Sequence, residues 1–507
     1  MQSQGDAIGP ADRIAVLIVI YRPDLQDLSA SLHALHSAQS TGTKIEVALW
    51  HNDGGPGTTP GLEELIGKLQ AGGLPIRVHT ATRNLGFGQA VNAALAFIET
   101  PWLLLLNQDA ITERGAVESV ARVAAADEQH VAAWELRQIP YEHPKDYDPV
   151  TGETGWFSGA AVLLRTAALK EVAGFEPRFF MYCEDVDLSW RLRCAGWRLR
   201  YLPRSAVVHR TYRYPGEAKP LAVLGGVYAN LCIRARFAGR RHVVDGLLDL
   251  YRRWRRPASF PGERIGLVRA LLNFTRNYRY FRRTRCAAPG FAPCLNGHDY
   301  EMRRDGSFHP FLSQAEQTQP RPRIAVLVRA DGNPTALENW LTCIANQTHR
   351  PLEVLVCGVN SADRRAVCEA WRGSMTVRTL PPTQAPLETV AAVHAEADWW
   401  LIFDNERVLP YADHAEVLLE AAMQSQAHGA VALHWAIHAD PARGHEAHRL
   451  HATRTTTGGP PSARPSRLRD SRVTDSILGF EYDAGCWILR VVAERTSPGR
   501  SEATTHI

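Results

Sequence analysis

Short apolar runs alternate with helix-forming segments through the first part of the chain, and this alternation constrains the fold more than any other feature. The run "RIAVLIVIY" at residues 13–21 has the length and β-branched content of a buried strand, and the helical pattern "LQDLSASLHALHSA" follows it. The same order recurs through the segments "KIEVALW", "GLEELIGKLQ", "IRVHT", "GQAVNAALAFIE" and "WLLLLN". Strands that alternate with helices in this way predict a doubly wound α/β domain built on a parallel sheet.

The beginning of this pattern is repeated later in the chain. "RIAVL" occurs at residue 13 and again at residue 323, and the spacing from Trp399 to Asp404 equals that from Trp102 to Asn107. Because 507 residues exceed what one core normally organises, we expect two related α/β domains. The predicted organisation is a first domain at 1–213, a helical connector at 214–320 and a second domain at 321–507.

Composition excludes several classes of protein. The net charge of +4 is too small to indicate a nucleic-acid partner, and none is expected. Nine cysteines without a CxxC pair indicate reduced thiols and not a secreted disulfide scaffold. There is no N-terminal signal pattern, and no apolar run approaches the ~18 residues needed to cross a bilayer. These features predict a cytoplasmic location, either free or at the inner face of the cell membrane.

The segment "FFMYCEDVDLSWRLRCAG" at residues 179–196 places three carboxylates directly behind an apolar run. Asp187 and Arg191 are four residues apart, which favours an ion pair on a helix, and acids in a first helical turn suit the helix dipole. A capped helix start therefore explains Asp187. It explains Glu184 and Asp185 poorly, because the apolar bulk of "FFMYC" should raise the pKa of a nearby carboxyl and make it a better base.

Four ordered motifs identify the family that the first domain resembles. They are "NLGFGQAVNAAL", "WLLLLNQDA", "SGAAVLLRTAAL" and "GFEPRFFMYCEDVDLSWRLRCAGWRLRYLPRSAVVHR". Together they look like family 2 glycosyltransferases of the GT-A fold, especially the bacterial rhamnosyltransferase-like branch, over residues 13–213. The resemblance implies an inverting transfer of a sugar from dTDP-rhamnose or a UDP-hexose to a hydroxyl of a glycan or lipid-linked acceptor, in cell-surface polysaccharide synthesis. Residues 323–490 resemble the same fold more thinly.

Such a transfer expels a nucleoside diphosphate, so the site needs a divalent cation and a base. Asp109 follows the strand "WLLLLN" and is the expected ligand of Mg²⁺ or Mn²⁺. Asn107-Gln108-Asp109 stands where the family usually has Asp-x-Asp, and the resemblance adds His209 as a second ligand. A loop aspartate and a surface histidine are the alternatives. The resemblance also assigns the base to Asp185, with Glu184 orienting the acceptor.

Polar residues at the carboxyl ends of the predicted strands are candidates for donor binding, because ligands of such sheets lie there. Relatives place an aspartate on the base and ribose after the second strand, and "HNDGG" offers Asp53 there, while Tyr21 could pack on the nucleobase. Arg83 and Asn84 precede a helix N-terminus that suits a diphosphate, and Asn107 faces the donor beside Asp109. "GFGQAV" lacks the third glycine of a GxGxxG motif, so a dinucleotide is not expected.

The connector contains fifteen arginines and three acids between Arg234 and Arg285. These arginines are interleaved with Trp254, Phe274, Tyr278, Tyr280 and Phe281, a mixture typical of a surface helix on an anionic membrane. RNA binding would use similar residues, and solvated helix faces packed on the first domain are the third interpretation.

The second domain differs from the first in its chemistry. Asp404-Asn405-Glu406 keeps a spacing suited to a metal, but no Glu-Asp pair follows it at a helix start. We therefore expect a non-catalytic copy used for binding or assembly. For the whole chain, the alternatives are a nucleotide-sugar-binding or polysaccharide-binding scaffold and a nucleotidyltransferase. The latter needs a glycine-rich loop after the first strand, whereas "YRPDLQDL" contains no glycine.

Overall fold

A computed structural model describes most of the chain in two compact units, Met1–Gln317 and Thr318–Ile507. The described residues are 13–40, 44–54, 59–143, 145–209, 211, 219–288, 291–295, 302, 321–330, 333–403, 405–406, 410, 414–424, 429–435, 449–456, 473–474 and 481–490. Asp404, proposed from the sequence as part of a metal-binding triplet, lies outside them.

Eight strands form the sheet of the first unit in the order β3-β2-β1-β4-β7-β6-β8-β5. Strands β1 to β4 run parallel, β7 is antiparallel to both β4 and β6, β8 is parallel to β6, and β5 is antiparallel to β8. The bounds are β1 Arg13–Ile20, β2 Lys44–His51, β3 Ile76–Thr80, β4 Trp102–Asn107, β5 Ala110–Thr112, β6 Val131–Pro140, β7 Ala161–Arg165 and β8 Arg198–His209.

Helices cover both faces of this sheet. Their bounds are α1 Leu25–Ser40, α2 Leu62–Ala71, α3 Phe87–Ala94, α4 Ala116–Ala126, α5 Thr166–Glu171 and α6 Glu184–Cys194. Alternate residues of β1 enter opposite cores: Ile14, Val16 and Ile18 pack with α1, α2 and α4, whereas Ala15 and Leu17 pack with α3, α5 and α6. Burial on both faces explains the continuous apolar run of the sequence. The predicted α/β fold of the first domain is confirmed.

Three further helices belong to the same unit: α7 Pro220–Phe237, α8 Arg240–Arg255 and α9 Glu263–Arg283. They form a third core with Phe179 and with Val186 and Trp190 of α6, to which they contribute residues such as Leu231, Phe237, Phe274 and Phe281. Phe274 and Phe281 are therefore core residues, and their interpretation as residues exposed on the surface of a helix was wrong. These helices pack against α6, whose first turn contains Glu184 and Asp185.

The second unit has its own α/β sheet in the order β11-β10-β9-β12-β16-β13-β14, with β15 paired to β16. Its strands are β9 Ile324–Arg329, β10 Glu353–Cys357, β11 Val377–Leu380, β12 Trp399–Phe403, β13 Gly429–Trp435, β14 Arg449–Thr456, β15 Val473–Thr474 and β16 Glu481–Arg490. Its helices are α10 Pro334–Ala345, α11 Ala362–Trp371, α12 Leu387–His394 and α13 His414–Gln424. The four parallel strands are ordered as in the first unit.

None of the helices within the described residues combines the length and the apolar character that crossing a bilayer requires.

Candidate active site

Asp109 and His209 meet at the carboxyl end of β4. The short strand β5 begins one residue after Asp109 and pairs antiparallel with β8, so that Ala110 lies opposite His209. This pairing brings Asp109 Oδ1 to 3.4 Å from His209 Nε2, and Asn107 Nδ2 also lies 3.4 Å from that nitrogen. Burial acts to raise the pKa of Asp109, but the hydrogen bond and charge of His209 outweigh it and hold the pKa below its ordinary value.

The imidazole of His209 is oriented from behind by Gln138. His209 Nδ1 lies 2.7 Å from Gln138 Oε1, and Thr211 Oγ1 lies 3.1 Å from the same nitrogen. Because an amide oxygen only accepts hydrogen bonds, the Gln138 contact favours the tautomer with the proton on Nδ1. In the neutral ring Nε2 then carries the lone pair, which is available to a metal ion, whereas in the protonated ring Nε2 donates to Asp109.

The acidic pair lies at the start of α6 behind a strained turn. Tyr182 and Cys183 have φ values of 73° and 65°, in the left-handed region that non-glycine residues seldom adopt. Cys183 is the residue before the first helical position, so the chain enters α6 at an angle that the turn determines. Two successive residues of this kind cost on the order of 1–3 kcal/mol each, and such strain is typical of functional sites.

Two glycines allow other elements to hold this turn. Gly86, with φ 78°, precedes α3, and a Cβ added there would lie 2.1 Å from the carbonyl oxygen of Phe180. The neighbouring Phe87 N–H donates to that oxygen at 3.0 Å. On the other side, a Cβ on Gly225 of α7 would lie 2.6 Å from the carbonyl oxygen of Met181. The turn is thus held between the N-terminus of α3 and the first half of α7.

Asp185 is half-buried and held by backbone donors. Its Oδ2 accepts the Gly159 N–H at 3.0 Å, and its Oδ1 accepts the Val186 N–H at 2.9 Å. Burial raises the pKa of Asp185 above its ordinary value, although these two donors act against the shift. The carboxylate is therefore oriented and also made more basic, as the apolar run before it predicted.

Glu184 is buried beside Asp185, with 6% of its surface exposed. Its Oε2 meets no hydrogen-bond donor among the residues that the structure describes. Burial, reinforced by the negative charge of Asp185, raises the pKa of Glu184 to about 8. A buried carboxyl oxygen without a donor is costly unless a proton or a ligand satisfies it, so Glu184 is suited to contact a bound hydroxyl group.

A short chain of contacts connects the metal corner with the acidic pair. The Asn107 N–H donates to the Ala160 carbonyl at 2.8 Å, and the preceding Gly159 N–H donates to Asp185. Asn107 in turn contacts His209. Asp109, His209, Asn107, Asp185 and Glu184 are thus brought into one region by the ends of β4 and β8 and the start of α6.

Asp187 points away from this region into the core. It is fully buried and binds Arg191 at 2.7 Å, as the spacing predicted, and it also binds Arg236 of α7 at 2.5 Å. Arg236 bridges to Glu176 at 2.5 Å, and Tyr280 of α9 donates to the same carboxylate at 3.0 Å. Asp187 is a structural residue that fixes α6 against α7 and α9.

The four remaining donor-site candidates lie along the carboxyl edge of the parallel strands. The Tyr21 N–H donates to Gln108 Oε1 at 2.9 Å, which ties β1 to the Asp109 loop. Asp53 lies 3.1 Å from Nδ1 of the buried His51. The oxygen of the Asn84 side chain accepts the Gly86 N–H and so shapes the loop before α3. The Arg83 side chain is exposed.

Several residues that organise the site had no signal in the sequence. Asn52 is buried, accepts the Leu85 N–H at 3.0 Å and donates to Asn84 and Gly86, so it builds the loop before α3. Lys145 and Glu135 form a buried ion pair, and the Ser158 N–H donates to Glu135 at 2.9 Å. Ser158 directly precedes Gly159, the residue that donates to Asp185. The contacts of Asn52 and of the Ser158 N–H span 23 to 34 residues of sequence, and no local pattern marks them.

Two family profiles match the part of the chain that contains these candidate site residues. Residues 16–184 match the profile described as Glycosyl transferase family 2, and residues 145–289 match Glycosyl transferase family group 2. An N-acetylglucosaminyl-diphospho-decaprenol L-rhamnosyltransferase of Mycobacterium tuberculosis is 43% identical over 70 residues, which cover 14% of this chain and 23% of the relative. A pre-mycofactocin glycosyltransferase of the same organism is 32% identical over 166 residues, covering 27% of this chain and 35% of the relative.

The chain thus spans between about a quarter and a third of the length of these curated relatives. Among solved structures, a mannosyltransferase of Pyrobaculum calidifontis in complex with GDP-Man and Mn²⁺ is similar with a TM-score of 0.33 and 16% identity. That match covers 56% of this chain and 76% of the other.

Proposed function

The first unit of this chain contains a family 2 glycosyltransferase domain, and we propose that it transfers a sugar from a nucleoside-diphosphate sugar to a hydroxyl group of a glycan or lipid-linked acceptor. The relative from M. tuberculosis that is named as a rhamnosyltransferase supports dTDP-rhamnose as the donor, with a UDP-hexose as the alternative. We also propose that the reaction inverts the anomeric configuration and serves the synthesis of cell-surface polysaccharide.

One observation carries this proposal. The Asp185 carboxylate, held by backbone donors, lies beside the buried Glu184 carboxyl, whose Oε2 has no donor among the described residues. The Asp109 carboxylate and the His209 imidazole lie in the same region. In a single displacement, Asp185 accepts the proton of the acceptor hydroxyl as its oxygen bonds to the anomeric carbon. The bond from that carbon to the diphosphate breaks, and the nucleoside diphosphate leaves. Glu184, protonated near neutral pH, orients the acceptor by hydrogen bonding.

The residues at the metal corner suit a divalent cation. Asp109 supplies a carboxylate whose side chain is 38% exposed, and His209 supplies a nitrogen with an oriented lone pair 3.4 Å away. Within the described part of the chain, no group of three or more His, Cys, Asp or Glu side chains is arranged to hold a metal. Mg²⁺ and Mn²⁺ accept such sparse protein ligation, because water and phosphate oxygens complete their shell. When bound, the cation neutralises the charge of the leaving diphosphate.

The proposed donor site lies along the carboxyl edge of the parallel strands. We propose that Asp53 and Tyr21 contact the nucleoside, and that Arg83 with the N-terminus of α3 faces the diphosphate. Asn107 lies beside the pair of metal-binding candidates and would contact the donor from there. The second unit would serve binding or assembly and not transfer.

The test is the Asp185→Asn variant of the full chain, compared with the parent on dTDP-rhamnose and UDP-hexoses in the presence of Mg²⁺ or Mn²⁺. Product mass spectrometry should show a loss of transfer of at least about 100-fold, the usual size of a general-base contribution. Calorimetry should show unchanged binding of the donor, because Asp185 acts on the acceptor. Asp245→Asn, an exposed aspartate on α8, is the matched control and should transfer at the parental rate.

Two results would contradict the proposal. If Asp185→Asn transfers sugar as fast as the parent, the base is elsewhere. If the parent binds a nucleotide sugar or a polysaccharide and turns over neither, the scaffold alternative holds. Release of pyrophosphate from a nucleoside triphosphate and a sugar phosphate would instead identify a nucleotidyltransferase.

A further inference from the structure

Helices α8 and α9 leave an apolar groove between them. Both pack on α7, and the groove has a volume of about 400 Å³. Its lining is mostly apolar and consists of Val243, Val244, Leu247, Phe274, Thr275 and Tyr278, with Arg240 at its rim. A groove of this volume and lining suits part of a hydrocarbon chain and offers few polar partners to a water-soluble ligand.

Each helix also exposes an apolar ridge. On α8, Val244, Leu248 and Tyr251 recur at helical spacing and are 54%, 46% and 53% exposed. On α9, Ile265, Val268 and Leu272 recur in the same way and are 48% to 62% exposed. At about 100° per residue, the α9 ridge lies opposite the residues that α9 buries in the core. A helix that is apolar on both sides has a second apolar partner besides its own core.

Arginines surround these ridges and are little neutralised. The exposed arginines of α8, α9 and their flanking residues are Arg240, Arg241, Arg252, Arg255, Arg256, Arg264, Arg269, Arg276, Arg279, Arg283 and Arg285. Of the three acids in this stretch, Glu263 is buried and paired with Arg253, and Asp249 is paired with Arg252. The surface is therefore strongly positive around an apolar centre, which complements negatively charged headgroups over hydrocarbon.

We propose that this lipid-docking face, made of the two ridges, the groove and the surrounding arginines, binds the surface of an anionic lipid bilayer. The ridge side chains enter the boundary between headgroups and acyl chains, and a lipid chain occupies the groove. Tyr251 and Trp254, both exposed on α8, lie where amphipathic rings favour the interface. The proposal does not depend on the chemistry of glycosyl transfer.

The contacts favour a bilayer over RNA. An RNA surface uses exposed aromatic rings on which bases stack, together with arginines. Here Phe274 and Phe281 are buried, and five of the six ridge residues are aliphatic. Tyr251 and Trp254 are exposed rings of α8, but the exposed aliphatic residues outnumber them. Exposed aliphatic side chains contribute nothing to base stacking but bind hydrocarbon.

The face also has a defined relation to the candidate active site. α7, on which α8 and α9 pack, contacts the turn before α6 through Gly225 and binds Asp187 through Arg236. A bilayer on this face would therefore be separated from the acidic pair by one layer of helix. An acceptor attached to a lipid would reach the site from that side.

The experiment is vesicle flotation of the full chain, with phosphatidylcholine alone or mixed with phosphatidylglycerol, at low and high salt. The parent should float with the mixed vesicles at low salt and stay unbound with pure phosphatidylcholine. Leu248→Glu and Val268→Glu should each weaken binding by at least about tenfold. Val393→Glu, which changes an apolar residue of the second unit that is 72% exposed, is the matched control and should bind as the parent does. Replacing Arg255 and Arg256 with glutamine should weaken binding by about fivefold for each charge, as expected near an anionic membrane.

Circular dichroism shows whether each variant is folded, and nucleotide-sugar calorimetry shows whether its donor site is intact. The flotation result can therefore be interpreted even if the proposed glycosyl transfer is not observed. Equal binding of parent and Leu248→Glu to mixed vesicles would overturn the proposal. If an oligonucleotide displaces the parent and Leu248→Glu equally from the mixed vesicles, the proposal is overturned in favour of nucleic acid.

Discussion

Replacing Arg236 with methionine should destabilise the first unit strongly, because its guanidinium neutralises two buried carboxylates. Its Nη1 binds Asp187 and its Nη2 binds Glu176, each at 2.5 Å, and at most 4% of any of the three side chains is exposed. Methionine keeps much of the volume and removes the charge. Asp187 then retains Arg191, whereas Glu176 retains the Tyr280 hydroxyl and the more distant Arg178 at 3.4 Å.

The expected loss in the free energy of unfolding is about 3–5 kcal/mol, the usual result of removing one partner from a buried ion pair. The matched control is Arg252→Met. Arg252 is 68% exposed and pairs with Asp249 on the surface of α8, so its loss should cost about 1 kcal/mol or less. Both variants exchange the same chemical groups, and only the burial of the pair differs.

The pH dependence gives a sharper test than the size of the loss. In the parent, burial would raise the pKa of Glu176, but the hydrogen bond and charge of Arg236 hold it below its ordinary value. That pairing stabilises the fold above the ordinary pKa of a glutamate and is lost as the pH falls through the folded value. Without Arg236, burial is opposed only by the weaker contacts with Tyr280 and Arg178, so the pKa of Glu176 rises, and protonation on folding now stabilises the variant as the pH falls. The difference between parent and variant should therefore be largest at pH 7–8 and shrink towards pH 5.

Urea unfolding over this pH range measures the difference, and hydrogen exchange of peptides from α6 and α7 assigns it to the first unit. Changing Glu176 to glutamine in the Arg236→Met protein should recover part of the loss, since one of the two unpaired charges is gone. If Arg236→Met resembles Arg252→Met, or if its effect is constant between pH 5 and pH 8, the bridging role assigned to Arg236 is wrong.

Two further predictions concern the candidate active site. Asp109→Asn should lower sugar transfer by orders of magnitude and weaken the binding of Mn²⁺ in calorimetry, while the unfolding curve stays nearly unchanged. Persistence of parental activity in EDTA would refute the metal assignment. Burial and the charge of Asp185 raise the pKa of Glu184 to about 8, so deprotonation of Glu184 should form the basic limb of the parent's pH–rate profile. Glu184→Gln places a neutral amide there, so this basic limb should disappear, and a basic limb unchanged from the parent would show that Glu184 does not set it.

Local patterns in the sequence were sufficient for most of the sheet and for the start of α6. The run "RIAVLIVIY" became β1 at Arg13–Ile20, and α6 begins at Glu184 with the pairing of Asp187 and Arg191 that a four-residue spacing requires. Both features follow from interactions between residues within one turn or one strand. The raised pKa of Glu184 and Asp185 was also predicted, from the apolar run that directly precedes them, and burial is its largest cause.

The partners of Asp187 beyond its own helix could not be predicted. Arg236 is 49 residues away and lies in an arginine-rich stretch that suggested solvent exposure, yet it is 1% exposed. The left-handed backbone of Tyr182 and Cys183 had no signal either, because neither residue is a glycine. Single sequences carry local periodicity but not the long-range pairing that decides which charged residue is buried.

The dependence of α6 on α7 and α9 also has a consequence for the order in which the protein is made. Arg191 emerges from the ribosome almost together with Asp187, but Arg236 follows 49 residues later, and Tyr280 follows its partner Glu176 by 104 residues. At about 5–20 residues per second, the gaps correspond to about 2–10 s and about 5–20 s of synthesis. During that interval Phe179 and Trp190 lack the helices that cover them in the finished core. The growing chain therefore presents an incomplete apolar surface and an unneutralised acidic helix, the combination on which chaperones that bind nascent polypeptides would act.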